Sequence, residues 1–165
     1  MDGVHGYFDG IAQWGICRCA FVLFLHQDWH VHGWMAGGIS TNTKAELLAL
    51  WALLNFYLSK GVVAMKIMRD SKVVIDWISG KSGLHSLFLQ QWGDRVQEYV
   101  QTFDQISFQY IFRELNGVVD SLSKKALKSN PDTCFFRSLE ATLLSLIVLY
   151  NTFKGSIVLG CMFYF

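Results

Sequence analysis

Four acidic residues stand where predicted helices and strands begin or end, and together they could do metal chemistry. They are Asp9 in YFDG, Glu46 in TNTKAELLAL, Asp70 in MRDSKVVIDW and Asp120 in NGVVDSLSK. Carboxylates that a fold brings together repel one another unless a cation joins them. Oxygen ligands of this kind suit Mg²⁺ or Mn²⁺ better than zinc. The first hypothesis is therefore a hard-metal site that acts on phosphate.

Each of these carboxylates also has a simpler structural interpretation. Asp9 could lie in a turn with the glycine that follows it. Glu46 comes three residues after Thr43, as in a capping box. Asp70 could cap a helix, and Asp120 could favour the positive end of a helix dipole. Capping and metal ligation are geometrically compatible, so both interpretations stay open at this point.

The pattern of apolar residues predicts an α/β fold around these acids. Predicted strands at 4–8, 16–25 and 29–34 are joined by short links, as in an antiparallel meander. Helical spacing predicts a helix from Thr41 to Leu58, and the short apolar run at 62–68 predicts a buried strand. This strand, helix, strand order implies a crossover and a parallel neighbour. The remaining predicted elements are helices at 70–78, 86–102 and 116–128 and a strand at 106–112.

Composition narrows the class of protein. A chain of 165 residues with 52% hydrophobic and 16% charged residues fits one domain with a substantial core. A net charge of +1 predicts that any nucleic-acid contact is local and sensitive to salt. The N-terminal residues have neither a basic start nor an apolar run, so we expect no secretory signal and an intracellular protein of cytoplasm or nucleus.

The C-terminal part of the chain differs from the rest. The sequence Asn130-Pro131-Asp132 ends the last predicted helix, and the residues that follow are mostly apolar. We therefore predict a domain at 4–128 and an apolar tail at 129–165. A membrane-spanning helix, an extra packed helix and an ill-ordered tail are the alternatives. Asn151 and Lys154 make this segment a poor membrane span.

Four motifs, taken in order, resemble a type 1 ribonuclease H domain. They are YFDG, TNTKAELLALWALL, RDSKVVIDW and RELNGVVDSLSKKAL. The likeness is nearest to the plant reverse-transcriptase-like branch, which is related to retroelements, and it covers about Gly6 to Leu127. It implies a ribonuclease H-like mixed five-stranded sheet with helices on both faces.

The resemblance also implies a site and a function. It implies a monomer that cuts the RNA strand of RNA–DNA hybrids with two Mg²⁺ or Mn²⁺ ions, and that senses RNA through its 2′-hydroxyls. The alternatives are a domesticated domain that binds nucleic acid without turnover, and a membrane- or partner-associated remnant that uses the tail. The implied catalytic and metal-binding residues are Asp9, Glu46, Asp70 and Asp120, and the implied substrate-binding residues are Gly10, Asn42, Thr43 and Asn116.

Arg69 departs from the family pattern, because a small glycine usually precedes the aspartate that is Asp70 here. A guanidinium at this position could pair with Asp70 and lower metal affinity, or it could contact phosphate. Tyr110 stands where this branch often has histidine. Arg69 is therefore the residue on which the chemistry of the four carboxylates depends.

Overall fold

The computed structural model describes residues 3–26 and 29–126, together with the backbone of four strands between 133 and 157. The main sheet contains the strands β1 (His5–Gln13), β2 (Ile16–His26), β3 (Trp29–Ile39), β4 (Ala64–Arg69), β5 (Gln105–Tyr110), β6 (Thr133–Glu140) and β7 (Leu143–Tyr150). The helices are α1 (Asn42–Ser59), α2 (Lys72–Ile78), α3 (Leu87–Val100) and α4 (Gly117–Ala126), and a 3₁₀ turn, Arg113–Asn116, leads into α4. A separate short hairpin consists of β8 (Thr152–Phe153) and β9 (Ser156–Ile157).

The sheet is mixed, as predicted. Its strand order is β5-β4-β1-β2-β3-β6-β7. The first three strands form an antiparallel meander, whereas β4 runs parallel to β1 and β5 runs parallel to β4. The predicted fold class is thus confirmed, because α1 supplies the crossover that a parallel β1–β4 pair needs.

The first hairpin turns later than the sequence suggested. Trp14 and Gly15 have φ angles of 54° and 77°, the left-handed backbone of a two-residue type I′ turn. Asp9 and Gly10 lie inside β1, where they face Ala20 and Cys19 of β2. The interpretation of Asp9 as a turn residue is therefore wrong, and its side chain is placed by the sheet.

The apolar segment after residue 132 extends the sheet. β6 pairs with β3 and β7 pairs with β6, both antiparallel, so Leu143–Tyr150 is a strand, and the alternative of a helix does not hold for these residues. Short apolar runs do not distinguish a strand from a helix by periodicity, and an open sheet edge favours pairing. No helix in the described part of the chain is long and apolar enough to span a membrane. The predicted helix end at Lys128 and the break at 130–132 lie outside the described residues.

Two cores cover the two faces of the sheet. On one face α1 is buried almost all round, because it packs between β1, β2 and α3. Its Leu47, Leu50 and Leu54 are fully buried. On the other face α4 packs Val119 against residues of β2 and β3, including Val22. The sheet therefore holds β1, α1, β4 and α4 in fixed relation to one another.

Candidate active site

Three of the predicted carboxylates converge on one guanidinium. Asp9 comes from the middle of β1, Glu46 from the first turns of α1, and Asp70 from the residue after β4. Arg69 Nη2 lies 2.7 Å from Asp9 Oδ1 and 2.9 Å from Glu46 Oε1. Its Nη1 donates to Asp70 Oδ1. The structure thus brings Asp9, Glu46 and Asp70 together around Arg69.

The close approach of β1 and α1 depends on Gly10. A Cβ atom at this position would lie 2.1 Å from the carbonyl carbon of Ala45 and 2.2 Å from the backbone nitrogen of Glu46. Only glycine leaves room for the helix backbone here. Gly10 therefore allows α1 to pack closely on β1, which places Glu46 near Asp9.

Two further side chains, one from α4 and one from the turn before it, donate hydrogen bonds to these carboxylates. Ser123 Oγ donates to Asp9 Oδ2, and Asn116 Nδ2 donates to Asp70 Oδ1 at 3.0 Å. Asn116, which was predicted to contact substrate, is only 1% exposed and is hydrogen-bonded to Asp70. Sequence reasoning missed Ser123, although its place one helical turn after Asp120 was a usable signal.

The fourth predicted carboxylate has a different partner. Asp120 Oδ2 pairs with Lys124 Nζ at 2.6 Å, one turn along α4. Its side chain is 26% exposed. Asp120 lies in the first turn of α4, so the helix-dipole interpretation remains compatible with its position. Three of the four acids therefore pair with Arg69, and the fourth, Asp120, pairs with Lys124.

The capping interpretations of Glu46 and Asp70 do not hold. Thr41 caps α1, and its hydroxyl accepts from the backbone N–H of Lys44 at 3.3 Å. Glu46 is bonded to Arg69, so the capping box that began at Thr43 is wrong. Ser71 occupies the N-cap of α2, directly after Asp70.

The residues predicted to touch substrate lie where β1 and α1 meet. Asn42 is exposed at the first position of α1, and its Oδ1 accepts from the backbone N–H of Ala12 at 2.6 Å. Thr43 follows it and is half-buried. Gly10 is packed on α1, so only its backbone could meet a ligand. Asn42 and Thr43 lie about one helical turn before Glu46 in α1.

The donor chemistry suits a hard cation, but the arrangement does not fit one. Carboxylate oxygens are the ligands that Mg²⁺ and Mn²⁺ prefer. Here Arg69 Nη2 lies between the carboxylate oxygens of Asp9 and Glu46, where a shared cation would bind. Among residues 3–26 and 29–126, no three His, Cys, Asp or Glu side chains are placed to hold a metal ion. The buried positive charge in this site belongs to the protein itself.

Burial raises the pKa of Glu46 above its ordinary value. The Arg69 charge and hydrogen bonds from Ser71 and Arg69 oppose this, and the Asp9 charge adds to it. A raised folded-state pKa means that the native state holds the proton more tightly than the unfolded chain. Its contribution to stability is complete below the ordinary glutamate pKa and is lost as pH rises through the raised value.

We expect the stability of the natural protein, measured against Glu46→Gln, to fall as pH rises through that window. Urea unfolding of both proteins across the window measures this difference. The same replacement at the exposed Glu98 of α3 controls for the loss of a glutamate. A Glu46 difference that grows with pH would contradict the expectation.

The mixed sheet, the crossover helix and the carboxylates at the ends of β4 and α1 define a ribonuclease H-like domain. The family model described as reverse transcriptase-like matches residues 8–126, and the chain belongs to this family. The predicted resemblance to ribonuclease H is thereby confirmed, while the plant branch stays a prediction. The comparison with curated proteins finds no match.

Solved structures support the same fold. The ribonuclease H1 of the archaeon Halobacterium salinarum NRC-1 is 28% identical, with a TM-score of 0.71 over 75% of this chain and 96% of that one. The N-terminal ribonuclease H domain of Rv2228c from Mycobacterium tuberculosis is 22% identical, with a TM-score of 0.69 over 77% and 94%. LC11-RNase H1, from compost, in complex with an RNA/DNA hybrid is 19% identical, with a TM-score of 0.66 over 76% and 99%.

Proposed function

We propose that this chain binds RNA–DNA hybrids where the N-terminus of α1 meets β1. The observation that carries the proposal is the polar start of α1, where Asn42 is exposed and Thr43 is half-buried, about one helical turn before Glu46 of the Arg69 cluster. Family membership and the likeness to a ribonuclease H1 support it. A structure of the same fold, LC11-RNase H1, is a complex with an RNA/DNA hybrid.

The polar groups at this junction suit recognition of RNA in a hybrid. Asn42 and Thr43 offer an amide and a hydroxyl to the 2′-hydroxyls and sugar edges of the minor groove, which distinguish RNA from DNA. The net charge of +1 provides little general attraction to phosphate. Binding is therefore selective for the hybrid and of modest affinity.

Hybrid binding should persist in EDTA and should exceed binding to a DNA duplex of the same sequence. We expect Asn42→Ala combined with Thr43→Ala to weaken it by about tenfold, because two hydrogen-bonding groups are removed. Fluorescence anisotropy with a labelled hybrid measures the affinities. Thr102→Ala is the matched control, because Thr102 precedes β5 at the opposite end of the parallel strands from Arg69. Equal affinity for hybrid and DNA duplex would refute the proposal.

A second candidate function is metal-dependent cleavage of the hybrid's RNA strand by Asp9, Glu46, Asp70 and Asp120. The convergence of three of these carboxylates favours it. The position of Arg69 among these carboxylates disfavours metal-dependent cleavage. We therefore expect the natural protein to bind the hybrid without measurable cleavage. The same labelled hybrid in Mg²⁺ or Mn²⁺, with an EDTA control, decides between them. RNA-strand cleavage that needs the metal would establish the second candidate.

A further inference from the structure

Arg69 is a cation built into the carboxylate cluster at the end of β4. We infer that its guanidinium takes the place of a divalent ion, so that the site is assembled by the chain's own charge and stays closed to metal. The inference rests on the hybrid-binding function proposed above and adds how the same site is kept from hydrolysis.

The contacts of Arg69 are those of a shared counter-ion. Nη2 lies 2.7 Å from Asp9 Oδ1 and 2.9 Å from Glu46 Oε1, and Nη1 bonds Asp70 Oδ1. The arginine is 4% exposed, so these pairs act where water screens them little. One side chain thus joins β1, α1 and the residue after β4, as a bound cation would.

Several of the carboxylate oxygens that could bind a cation already have partners. Asp9 Oδ1 faces Arg69, and Asp9 Oδ2 accepts from Ser123. Asp70 Oδ1 accepts from both Arg69 and Asn116. An ion that bound these oxygens would compete with these bonds and would have to displace the guanidinium.

Further contacts hold both the backbone and the side chain of Arg69 in place. Its backbone lies in β4 beside Tyr110 of β5, and its carbonyl accepts from the N–H of Ile111 at 2.9 Å. Its guanidinium carbon lies 5.6 Å from the centre of the Phe8 ring. The side chain is therefore fixed by packing as well as by its ion pairs.

The charge balance indicates what removal of Arg69 would do. Asp9, Glu46, Asp70 and Arg69 carry a formal charge of −2, and without the arginine the group would carry −3. Arg69→Gly also vacates the space between the oxygens. The variant should therefore acquire the affinity for a hard divalent cation that the natural protein lacks.

Titration calorimetry with Mn²⁺ alone, in the absence of nucleic acid, tests this directly. We expect Arg69→Gly to bind Mn²⁺ at least about tenfold more tightly than the natural protein, and to melt at a higher temperature in Mn²⁺ than in EDTA. Adding Asp70→Asn should remove the gain. Lys72→Ala, which deletes an exposed lysine close to the cluster in sequence, should produce none.

Equal Mn²⁺ affinity in the natural protein and in Arg69→Gly would overturn the inference. If Arg69→Gly is unfolded in EDTA, recovery of the fold in Mn²⁺ supports it. Failure of both Arg69→Gly and the milder Arg69→Ala to gain structure or affinity in millimolar Mn²⁺ overturns it. Hybrid binding in EDTA is measured separately, so the failure of one proposal is distinguishable from the failure of the other.

Discussion

Replacing Arg69 by methionine is expected to lower the free energy of unfolding by about 3–5 kcal/mol at neutral pH. The arginine is 4% exposed and is the shared partner of Asp9, Glu46 and Asp70. Methionine keeps much of the apolar volume but leaves three carboxylates facing one another in a buried site.

Urea unfolding measures this loss against a matched ion pair. Lys72→Met removes the cation that pairs with Asp76 at 2.8 Å, where the lysine side chain is 74% exposed. We expect that variant to lose far less stability than the Arg69 variant, because solvent screens exposed pairs. Similar losses in the two variants would show that Arg69 is not a buried counter-ion.

Gly10→Ala is expected to lower the free energy of unfolding by about 3 kcal/mol, the upper part of the range for overpacking. The added Cβ would lie 2.1 Å from Ala45 C, 2.2 Å from Glu46 N and 2.4 Å from Ala45 O. All three are backbone atoms, so no change of rotamer relieves the overlap. Only a shift of α1 away from β1 can do so, and that shift separates Glu46 from Arg69.

The expected result for Gly10→Ala is therefore a double loss, of stability and of hybrid affinity. Thermal unfolding and fluorescence anisotropy on the same preparation measure both. Gly117→Ala is the control, because a Cβ at Gly117 meets nothing within 4 Å and its φ of −59° suits any residue. That change should be neutral or stabilising by up to about 1 kcal/mol. A Gly10→Ala protein as stable as the control would show that α1 can move at little cost.

The predicted elements were confirmed where local pattern decides structure. The helix of Thr41 to Leu58 and the buried strand before Asp70 were found close to their predicted ends, because apolar spacing and flanking polar residues act over a few positions. The interpretation of Asp9 as a turn residue was wrong, because an Asp-Gly pair is common in turns. Here it lies in a strand, and the glycine is needed because the backbone of α1 packs against it. Leu143–Tyr150 was expected as a helix or tail, because a short apolar run fits a helix as well as a strand.

The amino-acid sequence alone determined the family and the presence of carboxylates at element ends, because motifs and periodicity are local properties. Only the tertiary structure decided how those carboxylates are neutralised. Arg69 could have met phosphate or Asp70 alone, but the parallel pairing of β1 and β4 and the approach of α1 at Gly10 place all three acids around it. The partner of a charge depends on which distant residues the packing brings within reach, and that is not written in any one segment.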